Sequence, residues 1–486
     1  MNRTTVKTDF PSNEPSAAFA EAVSFFEDRV NFELYKSLPY HELESRLDRL
    51  ASVLDQIGGP QRKLLTVHVG GTKGKGSTCA MIASVLQESG YSVGLFCSPH
   101  VETFLERFVI SGERCRPEEF TEITFWLRDR LREIDPAIGE WLTFFELSVL
   151  FAFVFFERHN VDVAVLEVGL GGRLDATRVC NAQVTAITSI SFDHVEQLGP
   201  SIEEITTEKS GIIKLEKPVL SSTRNPVARR IIAGQAAKML SPAYFIDDHF
   251  PVRTDLRLSM PGKHQLDNAA LAEAVIRQLT PSLKPSQPGV SEETIRKGLE
   301  KVKLPVRVEV FEQTENQPTV IFDGAHNRSS LHALVKTIRH LYPQKRIHFV
   351  FGSSLEKDIE GMLMTILDVC SSLVLTQHSS NAKRFPAQGL LTIALSLLEP
   401  SLEWMQEFSQ TKQEEESDHH FLIDSVKTAE SGETGPKIEV IDSPFEAFRQ
   451  TIETVNKNDV VCVVGSIFLT GEIRKYYLET FLRLSG

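Results

Sequence analysis

The stretch Leu64–Gly90, LLTVHVGGTKGKGSTCAMIASVLQESG, limits what this chain can fold into more than any other. Leu64–Val69 is short, apolar and rich in β-branched residues, which suits a buried strand. Gly70–Thr78 then supplies glycines, lysines and hydroxyls, and Ala80–Leu86 restores apolar residues at helical spacing before Gly90 offers a stop. Strand, glycine loop and helix form the context in which a loop holds phosphate. Backbone N–H groups point inward, the helix N-terminus adds positive potential, and a lysine reaches the outer phosphates. Against the pattern G-x-x-x-x-G-K-[ST], Val69 stands at the first glycine and Gly76 moves the hydroxyl to Ser77 or Thr78. The competing reading is a bare glycine-rich turn.

Composition narrows the class. At 486 residues, 41% hydrophobic and 24% charged, the chain is long enough for two or three cored domains. A net charge of −13 argues against a nucleic-acid or anionic-membrane binder, so anionic substrates must be caught by local positive sites. Cys79, Cys97, Cys115, Cys180, Cys370 and Cys462 are scattered with no C-x-x-C spacing, as expected of reduced thiols in a cytoplasmic protein. No apolar h-region follows the charged start. Leu147–Phe156, the most apolar run, is too short to span a bilayer and reads as a buried helix.

Taken in order, residues 1–16 read as a disordered tail, and Ala17–Leu38 and Tyr40–Ile57 as helices. After the glycine loop come strand Tyr91–Cys97, a loop over Val101–Arg114, and helices Arg116–Ile134 and Thr143–Glu157. Strands Val161–Glu167, Ala182–Ile190 and Pro218–Ser221 then alternate with helices Ile202–Gly211 and Asn225–Met239. Helices His264–Leu279 and Glu292–Lys301 precede a linker at Leu304-Pro305. Beyond it strands Thr319–Phe322, Arg346–Gly352 and Ser372–Thr376 alternate with helices Ser329–Leu341 and Glu360–Val369. The alternation predicts a doubly wound parallel sheet over 17–303, with ligands at the strand carboxyl ends, then a smaller α/β domain over 304–486. An acidic stretch at about 410–437 reads as a solvated surface insertion.

Chemistry-bearing residues cluster just after strands. Lys75 is the loop lysine placed for the outer phosphates; Lys73 reads as solvent-exposed. Glu167 ends an apolar strand and meets Gly169, Gly171 and Gly172, where a carboxylate is costly unless it binds a cation or caps a turn. His194, after Asp193, reads alone as a packed or hydrogen-bonding residue. Asp323–Asn327 (DGAHN) offers acid, imidazole and amide in one turn, suited to a nucleotide or an acyl phosphate, or simply a turn. Lys209 alone reads as an exposed helix lysine.

Together these segments resemble the folylpolyglutamate synthase and dihydrofolate synthase family, within the Mur-type ATP-dependent ligases. GGTKGKGST, FCSPHVETFLERF, LEVGLGGRLDAT, SFDHVEQLG, EKSGIIK, GKHQLDNAALA, PVRVE, DGAHN and GSIFLTGE are similar to its signatures and occur in its order from Val67 to Glu472. The resemblance implies a P-loop-containing Mur-ligase-like ATPase domain followed by a Rossmann-like glutamate ligase domain. It implies that ATP phosphorylates a folate or pteroate carboxylate and that the amine of glutamate attacks the acyl phosphate. It further implies nucleotide contacts from Gly71, Thr72, Gly74, Lys75, Gly76, Ser77, Thr78, Asn268, Arg307, Asp323 and His326. Ser98, Glu167 and His194 look like Mg2+ ligands, with two metal sites expected. Lys209 looks like the lysine carbamylated in this family, and Lys75, Lys209 and His326 are the catalytic set. Val306, Arg178 and Lys73 replace residues more usual at those positions.

The expected partners are small molecules (dihydropteroate, folates and L-glutamate), with no nucleic acid, no membrane, and a monomer as the working state. A cell-wall Mur ligase would carry a UDP-sugar-binding domain before the phosphate loop, and only residues 1–66 precede it here. A non-catalytic nucleotide-binding regulator would not need Lys75, Glu167, His194, Lys209 and His326 together. A bifunctional enzyme using both acceptors is the expectation, against a synthase with one activity.

Overall fold

The computed structural model describes residues 16–31, 44–285, 289–355, 357–379, 383–398, 420–423 and 436–482. Its strands form two sheets. The first contains β1 (Thr66–Gly70), β2 (Val93–Phe96), β3 (Phe108–Ile110), β4 (Glu113–Arg114), β5 (Val163–Glu167), β6 (Ala182–Ile187), β7 (Val219–Ser221) and β8 (Ala243–Phe245). Their order is β4-β3-β2-β5-β1-β6-β7-β8. From β2 to β8 the neighbours run parallel, while β3 and β4 are antiparallel additions at one edge. From β1 the chain passes out to β2 on one side, returns to place β5 between β2 and β1, then crosses to β6 on the other side of β1. Such a switch in direction opens a crevice at the carboxyl ends of β1, β5 and β6.

The second sheet contains β9 (Glu309–Phe311), β10 (Thr319–Phe322), β11 (Ile347–Phe351), β12 (Ser372–Leu375), β13 (His420–Ile423), β14 (Lys437–Ile441) and β15 (Val460–Val464), in the order β13-β14-β12-β11-β15-β10-β9. Its interior is parallel and its two outermost strands, β9 and β13, are antiparallel.

The parallel strands are buried on both faces: β1, β5, β11 and β15 have no exposed residue, and apolar residues predominate in them. One layer against the first sheet is aromatic. Phe96, Phe108, Phe120, Phe151 and Phe156 are fully buried, and helix Phe144–Arg158 supplies much of it behind a Thr143–Glu146 capping box. Gly94 in β2 is a consequence, since a Cβ there would meet the Phe156 ring at 2.6 Å.

Several expectations need correction. The first helix ends at Glu27 rather than Leu38, because the Asp28 and Arg29 amides turn back onto Ser24 and Phe26 carbonyls. Residues 1–15 of the expected tail lie outside the described residues, but Ser16 caps that helix by accepting from Phe19 N at 3.2 Å. Val101–Arg114 is not a loop: it holds β3, which pairs with the edge of β2 and satisfies its backbone, and β4, which pairs with β3. The acidic stretch contains edge strand β13, and Lys437 already belongs to β14. Residues 410–419 and 424–435 of it lie outside the described residues. Among the described residues no helix is long and apolar enough to cross a membrane.

Candidate active site

Loops after the carboxyl ends of β1, β5, β6, β10 and β11 meet around one cavity of about 1800 Å3, lined from both sheets. Its floor is the glycine loop. Gly74 has φ +90 and starts helix Lys75–Glu88, and a Cβ on it would lie 2.3 Å from Asn268 Oδ1. Only glycine lets the loop bend there and pass that close to the asparagine. Thr72, Gly74, Lys75, Gly76 and Ser77 line the cavity; Gly71, Thr78 and Lys209 do not. Thr78 is fully buried with its hydroxyl unpartnered, because successive helix positions turn by about 100° and only Ser77 is left facing the cavity. Of the two hydroxyl-bearing residues, only Ser77 lines the cavity.

Lys209 sits behind the loop, 4% exposed, where its Nζ donates to Gly71 O at 2.9 Å. The sequence alone reads it as exposed; helix Ile202–Ser210 instead turns it inward. Burial, then the nearby Lys75 charge, brings its pKa down to about 7.

Glu167 ends β5 inside the cavity, 5% exposed, and accepts from Ser98 N at 3.1 Å. Burial pushes its carboxyl pKa up, against the pull of Lys75. Gly76 keeps the loop close to it: a Cβ there would stand 3.4 Å from Glu167 Oε2. Among the described residues no group of three His, Cys, Asp or Glu could hold a metal by itself. A buried, under-compensated carboxylate beside Ser98 and a phosphate loop fits a hard cation that takes the rest of its shell from phosphate and water.

The loop after β6 is pinned to the glycine loop. Thr72 N donates to Ser189 O at 2.8 Å, and the Thr72 hydroxyl pairs with the Ser191 backbone at 3.2 Å. Lys73, expected to face solvent, bridges the two halves: Nζ donates to Asp193 Oδ2 at 2.8 Å and to His326 Nε2 at 3.3 Å. Burial works against the Asp193 carboxylate, yet Lys73 outweighs it and holds its pKa well below the usual range. His326 Nδ1 lies 2.8 Å from Gly324 O, so Nδ1 carries the proton and Nε2 offers its lone pair. Burial, then Lys73, keeps this ring neutral by lowering its pKa strongly. His194 lines the cavity two residues beyond Phe192, in a left-handed conformation at φ +51.

In the second half both Asp323 oxygens brace the turn, one accepting from Val308 N at 2.7 Å and the other from Ala325 N at 2.8 Å. Arg307 lines the cavity and donates to Val306 O at 3.0 Å. Asn268 reaches the cavity from helix Lys263–Leu279 and is held by Gln265 at 2.9 Å. Of the residues expected at the site, all except Gly71, Thr78 and Lys209 therefore line one cavity.

Residues 69–239 match the Mur ligase middle domain, and residues 306–467 match the Mur ligase, glutamate ligase domain. The dihydrofolate synthase/folylpolyglutamate synthase of Bacillus subtilis is 30% identical over 479 residues, spanning 94% of this chain and 99% of the relative. The chain belongs to this family. It is an enzyme of the ATP-dependent ligase class. Escherichia coli FolC in complex with DHPP and ADP has a similar structure, with TM-score 0.74, 26% identity and coverage of 96% of this chain and 99% of that one. So does the bifunctional folylpolyglutamate synthase/dihydrofolate synthase of Yersinia pestis complexed with AMPPNP and Mn ion, with TM-score 0.72, 25% identity and coverage of 96% and 99%.

Two groups in this synthase-family site escape sequence reasoning. The Lys73–Asp193 pair depends on β1 and β6 being neighbours, which no local pattern reveals. Asp175 caps the turn after β5 by accepting from Gly169 N and Leu170 N at 3.0 and 2.9 Å. Its only signal is its place in the LEVGLGGRLDAT signature.

Proposed function

We propose that this protein joins L-glutamate both to dihydropteroate and to the glutamate tail of a reduced folate. ATP phosphorylates the acceptor carboxylate, the glutamate amine displaces phosphate, and the products are an amide, ADP and inorganic phosphate. The observation that carries this reading is one cavity holding Lys75, Glu167 and His326 from two separate sheets. Its volume, about 1800 Å3, exceeds that of a single-ligand pocket and accommodates a nucleotide and an acceptor side by side.

Lys75 and the amides of Thr72–Ser77 hold the outer phosphates, and Asn268, Arg307 and Asp323 contact the nucleotide. Ser98, Glu167 and His194 would hold Mg2+, which neutralises charge on the transferring phosphoryl group. Lys73 ties His326 to the loop after β6, so the neutral Nε2 faces the region where the acyl phosphate forms. Lys209 is carbamylated in the active enzyme, turning a buried cation into an anion behind the phosphate loop. Holding both substrates in line supplies most of the advantage, because such positioning is worth roughly 7–11 kcal/mol.

The test is phosphate release by the purified chain with Mg-ATP and L-glutamate, with dihydropteroate or tetrahydrofolate as acceptor. Turnover with both is expected, and Lys75→Ala should abolish both. Turnover with one assigns a single role; turnover with neither overturns the proposal.

A further inference from the structure

We propose that Phe192 is the binding subsite for the acceptor's benzoyl ring when the reacting carboxylate is attached directly to that ring, so that it favours addition of the first glutamate over later ones. This rests on the ligase reading above. Phe192 lines the cavity and is 60% exposed, more than any other aromatic side chain among the described large hydrophobics. Leaving such a ring in water forgoes the gain of burying it. No aromatic or cationic partner covers it among the described residues. Val195, which opens the short helix after that loop, and Leu355, after β11 in the other half, also line the cavity and are 44% and 43% exposed. The cavity mouth thus carries an apolar lip from both halves.

The ring is presented from a backbone fixed on both sides. Ser191 is held by the Thr72 hydroxyl and Asp193 by Lys73, so Phe192 stands on a rigid platform two residues from His194. A preorganised aromatic binds without paying to order its loop. What it can meet follows from acceptor chemistry. In dihydropteroate the reacting carboxylate is bonded to the aromatic ring, so a carboxylate placed for phosphorylation beside His194 brings that ring to the same loop. In a folate with a glutamate tail the reacting carboxylate is separated from the ring by at least one glutamyl unit, roughly 6 Å. Its ring lies out of reach of Phe192, and the aliphatic tail passes instead.

The experiment is calorimetric titration of the full chain, with Mg2+ and AMPPNP, comparing Phe192→Ala and Phe192→Tyr with the parent. The Kd for dihydropteroate should rise about tenfold in the alanine variant and stay within about threefold in the tyrosine variant, which keeps the ring face. The Kd for a polyglutamylated tetrahydrofolate and for AMPPNP should change by less than about twofold in both. Weaker AMPPNP binding would mean that the ring serves adenine, and equal weakening of both acceptors that it serves a part they share. Either result, an unchanged dihydropteroate Kd, or failure of the parent to bind dihydropteroate overturns the proposal. Glutamate-dependent phosphate release with tetrahydrofolate, measured alongside, separates this from the ligase reading: if it persists, only the subsite falls.

Discussion

Lys209 is a buried amine with its proton loosely held. Its pKa of about 7 leaves a large neutral fraction near pH 7, and the neutral amine is the form that adds carbon dioxide. Native mass spectrometry at pH 8 with bicarbonate should find a labile adduct of one carbon dioxide on the peptide containing Lys209, lost on acidification. Lys209→Met should lower turnover about 10²–10³-fold, the usual cost of removing one preorganised charge from a reacting site. It should not lower the melting temperature, because methionine removes a buried ammonium and keeps the volume. A large drop in melting temperature would recast Lys209 as structural support for Gly71. At this scale the sequence is informative where the residue type at or just after a strand end itself points to the chemistry, as for Lys75, Glu167 and Asp323. It fails for Lys73 and for the buried state of Lys209, whose surroundings come from segments more than a hundred residues away.

At the scale of elements, the link into the second half stores strain. Val306 and Val308 flank Arg307 with φ of +50 and +46, in the left-handed region that β-branched residues avoid, at a cost of roughly 1–3 kcal/mol each. Hydrogen bonds hold them there: Val306 N donates to Glu309 at 3.0 Å, Gly324 N donates to Val306 O at 2.9 Å, and Val308 N donates to Asp323. The Val306 side chain is fully buried. Val306→Gly would forfeit about 1.5–3 kcal/mol of burial but recover most of the strain. Val461→Gly, equally buried in β15, recovers nothing and also leaves a cavity. Urea unfolding should place Val306→Gly at least ~1 kcal/mol above Val461→Gly; equal losses would mean that position 306 is unstrained. Elements with a clear local pattern, such as the apolar β10 and the amphipathic helix Glu292–Lys301 behind its Ser291 cap, are legible from sequence residue for residue. Strands β14 and β15 escape it, although β15, VVCVV, is an apolar run inside its sheet. The others that escape it, β3, β4, β8, β9 and β13, are short and lie at or next to a sheet edge. Their pairing is decided by a neighbouring strand's unsatisfied backbone, which leaves no periodicity to read.

Across the whole molecule, buried histidines kept neutral distribute an acid sensitivity over both halves. In the first, the Thr177 hydroxyl donates to Asp175, so it can only accept from His68 Nε2, at 2.8 Å. His68 Nδ1 is then a lone pair without a partner inside a fully buried ring. Burial drives the His68 pKa far below 6.5, with Lys214 adding to it. In the second half burial also lowers His348 and His378, although Asp459 partly opposes it at His348. The sign follows from proton counting: below pH 6.5 the unfolded chain binds protons that the folded chain refuses. Their contribution is therefore complete above about pH 6.5 and is lost progressively as pH falls toward the depressed folded values. For each such group the loss is about 1.4 kcal/mol per pH unit over that window. Urea midpoints should fall steeply between pH 7 and pH 5, and His68→Gln should flatten the decline, since an amide keeps a donor to Thr177 and does not titrate. An undiminished slope in that variant would place the acid sensitivity in the other histidines whose pKa burial lowers, His194, His264, His326, His348 and His378.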